Sequence, residues 1–121
     1  MRKHHKLKVW QEGMGFVKEV YTLTHQFPPN EQYGLTAQLR KAAISVPSNI
    51  AEGAARNGTK EFAHFLTIAR GSLSEIETQI LIAKDLAYIT EEKSKEVMGK
   101  IDSMFSLIGG LLNALRKEAL S

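Results

Sequence analysis

Apolar residues recur along this chain at steps of three and four, and no stretch alternates with the period of two that a half-buried strand requires. The clearest run is Phe62, Leu66, Ala69, Leu73, Ile76, Ile80, Ala83 and Ala87, a heptad seam that predicts an unbroken helix over about 59–88. The seam keeps its phase across Gly71, so Gly71 reads as a point of close helix approach rather than a break. Val97, Ile101, Met104, Ile108, Leu111 and Leu115 repeat the pattern over about 90–118. Thr90 ahead of Glu91 and Glu92 reads as its N-cap, and Arg116 and Lys117 suit the negative pole at its end. A first helix over about 6–27 carries Leu7, Trp10, Met14, Val17 and Tyr21, with Val9, Phe16, Val20, Leu23 and Phe27 beside them. Pro28-Pro29-Asn30 ends it.

The second helix, about 35–56, presents Leu35, Leu39, Ala42, Val46, Ile50 and Gly53 on one face. Pro47 lies in its middle, where it removes a backbone donor. The pattern favours a single helix kinked at Pro47, with a break recapped by Ser48 or Asn49 as the alternative. Asn57-Gly58 ends this helix and Thr59 is placed as the cap of the next. Four amphipathic helices joined by short loops predict an all-α, antiparallel up-down-up-down four-helix bundle, as one domain over 1–121.

Two helices carry more apolar surface than a lone bundle uses. Phe65, Ile68, Ile82 and Leu86 widen the seam of the third helix sideways. Ile44, Ala51 and Ala55 lie almost opposite the core face of the second. Such faces imply a second packing surface, most simply another copy of the chain, or else a third helix buried centrally in its own bundle.

Composition narrows the classes further. Among 121 residues there is no cysteine, which excludes disulfides, thiolate metal sites and cysteine nucleophiles and suits a reducing cytoplasm. The basic start lacks the apolar run of a secretory signal, and Leu107–Leu112, the greasiest stretch, is far too short to span a bilayer, so no membrane association is expected. Net charge is +3 but uneven: residues 1–60 carry nine Lys/Arg against four Asp/Glu, and 61–121 carry seven against nine. Arg2, Lys3, Lys6 and Lys8 precede any acid. A basic half of this kind serves either as a solvated terminus or as a contact for a polyanion.

Candidate chemistry is sparse. Glu61 and His64 sit at i, i+3, a spacing that ferritin-like di-iron sites use, but those sites need two such pairs and further glutamates. They read as a surface pair, so no metal site, catalytic residue or cofactor is expected. His4 and His5 are neighbours and do not share a helix face, and His25 suits the end of the first helix. No arginine stands four to six residues ahead of a histidine, the arrangement of some helical-bundle ribonucleases. On the second helix Gln38, Lys41, Ser45, Ser48, Glu52 and Arg56 form one polar side, with Asn49 at its edge. This side is either a wet face or a contact strip for phosphates or a partner subunit, to which Arg40, Lys41, Arg56 and Lys60 would bring charge.

The run Arg40 to Arg56, and within it VPSNIAEGAAR at 46–56, resembles the signature of the four-helix-bundle proteins encoded in intervening sequences of bacterial large-subunit ribosomal RNA genes. IARGSLSEIETQI at 68–80 resembles that family's second landmark, and LKVWQEGMGFVKEVY at 7–21 its first helix. The resemblance implies an antiparallel bundle with a kinked second helix and a ring-like homopentamer. It also implies kinship with the accessory proteins of diversity-generating retroelements, whose basic barrel is thought to meet nucleic acid and a reverse transcriptase. It carries over no catalytic residue. The positions that match are Arg40, Pro47, Asn49, Glu52, Gly53, Arg56, Arg70, Ser72 and Glu75. The resulting expectation is a cytoplasmic, non-enzymatic homo-oligomer that binds RNA or DNA by charge, through Arg2, Lys3, Lys6, Lys8, Arg40, Lys41, Arg56 and Lys60. The alternative is an adaptor whose partners are proteins.

Overall fold

The structure is a computed structural model that describes residues 2–120; positions 1 and 121 of the expected domain lie outside the described residues. Four helices follow one another: α1 (Lys8–Thr24), α2 (Leu35–Ala55), α3 (Thr59–Asp85) and α4 (Glu91–Leu120), with no strand among the described residues. Each helix packs on the next, α2 and α3 most extensively, and α4 returns to α1 to close the ring. This is the antiparallel four-helix bundle that the periodicity predicts.

The ends of the helices have local causes. Leu7 is extended, so α1 starts at Lys8 rather than near residue 6, and a 3₁₀ turn at Lys3–Lys6 precedes it. At its far end the Thr24 hydroxyl donates back to the Val20 carbonyl at 2.7 Å, and the chain turns into Pro28-Pro29 three residues early relative to the expected boundary. Glu31 accepts the Leu35 N–H at 3.2 Å and so caps α2. Gly58, at φ 100°, holds the cap position of α3, and Thr59 is its first helical residue rather than its cap. The left-handed φ suits glycine there. Thr90 caps α4 as expected, its hydroxyl accepting the Lys93 N–H at 3.0 Å.

α3 stops at Asp85, short of 88, because Ala87 enters the left-handed region at φ 62°. The Tyr88 N–H then reaches the Ala83 carbonyl and the Ala87 N–H reaches Lys84, both at 2.9 Å, which closes the helix in a Schellman turn. Ala87 is therefore exposed and ends the seam, which is buried from Phe62 to Ala83.

α2 runs through Pro47 as one helix, so the break with recapping does not occur. Proline inside a helix costs about 3 kcal/mol. Here its ring is buried against α1, where a Cβ on Gly13 would lie 3.4 Å from it, and that contact offsets part of the cost. Gly53 makes a closer approach still. A Cβ there would stand 2.7 Å from the Phe65 Cβ and 3.2 Å from the Phe62 carbonyl. Gly71, by contrast, has open space around it, so the close approach expected at Gly71 belongs instead to Gly53 and Gly13.

The core is Val9, Phe16, Val20 and Leu23 of α1, with the predicted faces of α2 from Leu39 to Gly53, α3 from Phe62 to Ala83 and α4 from Val97 to Ile108, while Leu35, Leu111 and Leu115 are half-buried at its edges. In α1 the outcome reverses the sequence reading. Met14 and Tyr21 remain 46% and 41% exposed, while the row beside them is buried. The physical reason is Gly13: its bare backbone lets α1 lie close on Pro47, and that contact turns the Val9–Phe16–Val20 row inward. A polar clasp closes α1 on α4, with Lys100 paired to Glu19 and Ser103 donating to Glu12 at 2.9 Å.

Candidate nucleic-acid interface

Because the helices alternate in direction, the starts of α1 and α3 share one end of the bundle with the ends of α2 and α4. Segments 2–8, 52–61 and 114–120 meet there and carry eight Lys/Arg against three Glu. Lys3 and Arg56 line the same small hollow, of about 160 Å³, together with Gly58, Thr59, Leu115 and Glu118. Lys3 lies over the Phe62 ring at 5.3 Å. Arg56 lies over the Phe65 ring at 5.1 Å and pairs with Glu52 at 3.0 Å. Both cations are exposed, as are Lys6, Lys8 and Lys60. Gly53 is what seats Arg56, since the tight α2/α3 crossing brings Phe65 beneath it.

The N-terminal segment is folded onto this end. His4 and His5 stack edgewise, 4.4 Å apart, and each ring lies 5.0 Å from Trp10. The His5 Nδ1 accepts the Arg2 N–H at 3.2 Å, and the Gln11 side chain donates to the His5 carbonyl at 2.8 Å. Loss of water around the stacked ring, then the charges of His5 and Arg2, hold His4 below the usual imidazole value.

The remaining predicted residues fall elsewhere. Arg40 stands about 24 Å along α2 from Arg56, so the two do not form one cluster. Its Nε donates to the Thr24 hydroxyl at 2.8 Å and its guanidinium lies 4.4 Å from the centre of the Tyr21 ring. It is a helix-to-helix tie. Lys41 is exposed beside Tyr33 and Ile44, again far from the basic end. Asn49 donates to the Ser45 carbonyl at 2.8 Å and to its hydroxyl at 2.9 Å, and Ser45 and Ser72 share a hydrogen bond of 2.8 Å between α2 and α3. Pro47, Gly53 and Ser72 are buried at helix contacts, while Arg70 and Glu75 are exposed on α3. The signature run is thus largely a packing device. Glu61 and His64 are exposed, the latter edge-on to Phe65, and no group of three or more His, Asp or Glu side chains able to hold a metal ion occurs among the described residues.

The sequence pattern assigns two basic residues of this end only to a helix pole. Arg116 and Lys117 join it from α4, and the signal was the alternation of helix direction, which places the end of α4 beside the start of α3.

A sequence profile described as 23S rRNA-intervening sequence protein matches residues 5–110. The chain belongs to this family. Among solved structures it is similar to a protein of unknown function from the S23 ribosomal protein family of Bacteroides thetaiotaomicron, with 17% identity over 87% of this chain and 95% of that one, at a TM-score of 0.80. That likeness establishes the fold. No curated protein matches the chain. Among the described residues no helix is long and apolar enough to cross a membrane.

Proposed function

We propose that this family member is a non-enzymatic, homo-oligomeric bundle that binds RNA or DNA through its basic end, as an accessory factor. The observation that carries this reading is the convergence of three chain segments into one exposed basic surface around Lys3 and Arg56. Contacts of this type neutralise phosphates and release counterions, so affinity is steeply salt-dependent and tolerant of sequence. Base stacking has little part, because Trp10 is engaged with two histidines and Phe62 is buried. Fluorescence anisotropy with a structured RNA and a DNA duplex across a salt series tests the reading. Binding with a steep log–log slope supports it, and no binding at low salt removes it.

A second reading, an adaptor for another protein such as a reverse transcriptase, is favoured by a different observation: Met14, Ile44, Ile68 and Ile82 are each about 40% exposed or more on the single chain. Under that reading nucleic-acid binding stays weak and charge reversal at the basic end leaves it unchanged.

A further inference from the structure

Two apolar surfaces are unpartnered within the chain, and they differ in shape and charge. The first is a groove of about 560 Å³ between α1 and α2, floored by Trp10, Met14, Ile44, Pro47 and Ala51. Lys18 is the one lysine on its rim, and His4 closes one end. The second is a ridge on α3. Ile68, Glu75 and Ile82 recur every seven residues, so they form a straight outer row about 21 Å long; the isoleucines are 39% and 43% exposed. Beside this row lies Gly71, with nothing within 4 Å of a Cβ built on it. A glycine inside an exposed helix costs about 1 kcal/mol relative to alanine, and nothing in its own chain requires it.

We propose that the α3 ridge of one copy docks in the α1/α2 groove of the next, with Glu75 against Lys18 and Gly71 at the point of closest helix approach. The occupant is a second copy because the ridge supplies what the groove lacks: apolar side chains spaced for a helix laid along it, and one acid opposite one lysine. Along α1 the groove runs from Trp10 to Lys18, about 12 Å, room for two turns of the ridge and its central charge. Groove and ridge are unlike surfaces on different sides of the chain, so the contact is heterologous. This inference rests on the homo-oligomer of the proposed function and names its surfaces.

The test uses the full chain, whose lack of cysteine makes introduced thiols unambiguous. Mass is measured by light scattering for wild type, Gly71→Met, Lys18→Glu, Glu75→Lys and the double exchange. Gly71→Met removes a helix-weakening glycine at an exposed position, so folding is retained, checked by circular dichroism. The expected result is an oligomeric wild type, at least tenfold weaker assembly for Gly71→Met and each single charge variant, and recovery in the double exchange. Mixed Lys18→Cys and Glu75→Cys proteins are expected to form a disulfide-linked pair at least tenfold more than either alone. A wild type that stays a single chain overturns both this pairing and the oligomer reading. An oligomeric wild type with neither sensitivity to Gly71→Met nor the mixed cross-link overturns the pairing alone.

Discussion

At the end of the bundle where α3 turns into α4, polar groups are matched within the chain. Glu31 accepts the Leu35 N–H at one oxygen and the Tyr88 hydroxyl at the other, the latter at 2.8 Å, and Tyr88 packs on Phe27. Segments 25–36 and 82–96, which build this end, carry three Lys against five Asp/Glu. At the opposite end the cations outnumber the acids, and Lys3 and Arg56 rest on aromatic rings with their charged tips in solvent. One end has spent its polar groups on closing a loop. The other keeps charge at the surface at little cost to the core: rings support Lys3 and Arg56 from beneath, and the Glu52 that pairs with Arg56 is itself exposed.

The most direct way to break this contrast is to reverse charge at each end in turn. Lys3→Glu with Arg56→Glu removes two candidate phosphate contacts and adds repulsion. Anisotropy should show affinity for a DNA duplex falling at least tenfold at low salt, with the salt slope smaller by about 2. Lys84→Glu with Lys93→Glu at the other end should change affinity less than threefold. Equal losses from the two pairs would mean that net charge, and not the basic end, governs binding.

A smaller effect tests the packing beneath the basic end. At Gly53 an alanine methyl meets the Phe65 Cβ, which lies too near the backbone to yield, so α2 and α3 must separate. Gly53→Ala should lower stability by about 1–3 kcal/mol through overpacking. Gly99→Ala, where the added methyl meets nothing, should raise it by up to about 1 kcal/mol. Urea unfolding of the pair measures both, and a neutral Gly53→Ala would mean that the tight crossing is not required.

These two glycines also show what the sequence can and cannot reveal. The fold was legible because burial follows period: the faces of α2, α3 and α4 read from spacing are buried except at their ends, Leu35, Ala87, Leu111 and Leu115. α1 misled because it carries two apolar rows, and only the contact of Gly13 with Pro47 selects between them. The basic end was half legible. Lys3, Arg56 and Lys60 stood out as charge, but Arg40 has the same chemistry and is consumed as a tie to Thr24, a fact fixed by a residue sixteen positions away. Gly53 stands on the core face of α2 and meets a phenylalanine, whereas Gly71 stands off the α3 seam and faces open space.

At the loop end, Ala87 occupies a left-handed conformation that glycine adopts without strain. Ala87→Gly should raise stability by up to about 1 kcal/mol, visible as a higher urea midpoint with an unchanged slope. A lower midpoint would mean that the Schellman turn is not what ends α3.

The smallest effect separates the two ends by pH. Tyr88 is raised above the ordinary phenol value by its hydrogen bond to Glu31, then by loss of water and the carboxylate's charge. Its contribution is complete below the unfolded value, near 10, and is lost as pH rises through the higher folded value. His4 is lowered, by loss of water and then by His5 and Arg2. Its contribution is complete above the unfolded value, near 6.5, and is lost as pH falls through the lower folded value. Alkali should therefore loosen the loop end and acid the basic end. Trp10, the one tryptophan, touches both histidines and reports the second event directly. Its emission should change with a midpoint below 6.5, without loss of helical circular dichroism, and His4→Gln should shift or remove that change. Beside His4 stand Arg2 and His5 on its own segment, which add to the cost of a proton there, and Lys18 lines the same groove. A midpoint at or above 6.5, or one indifferent to His4→Gln, would mean that the histidines rest on Trp10 without restraining the segment.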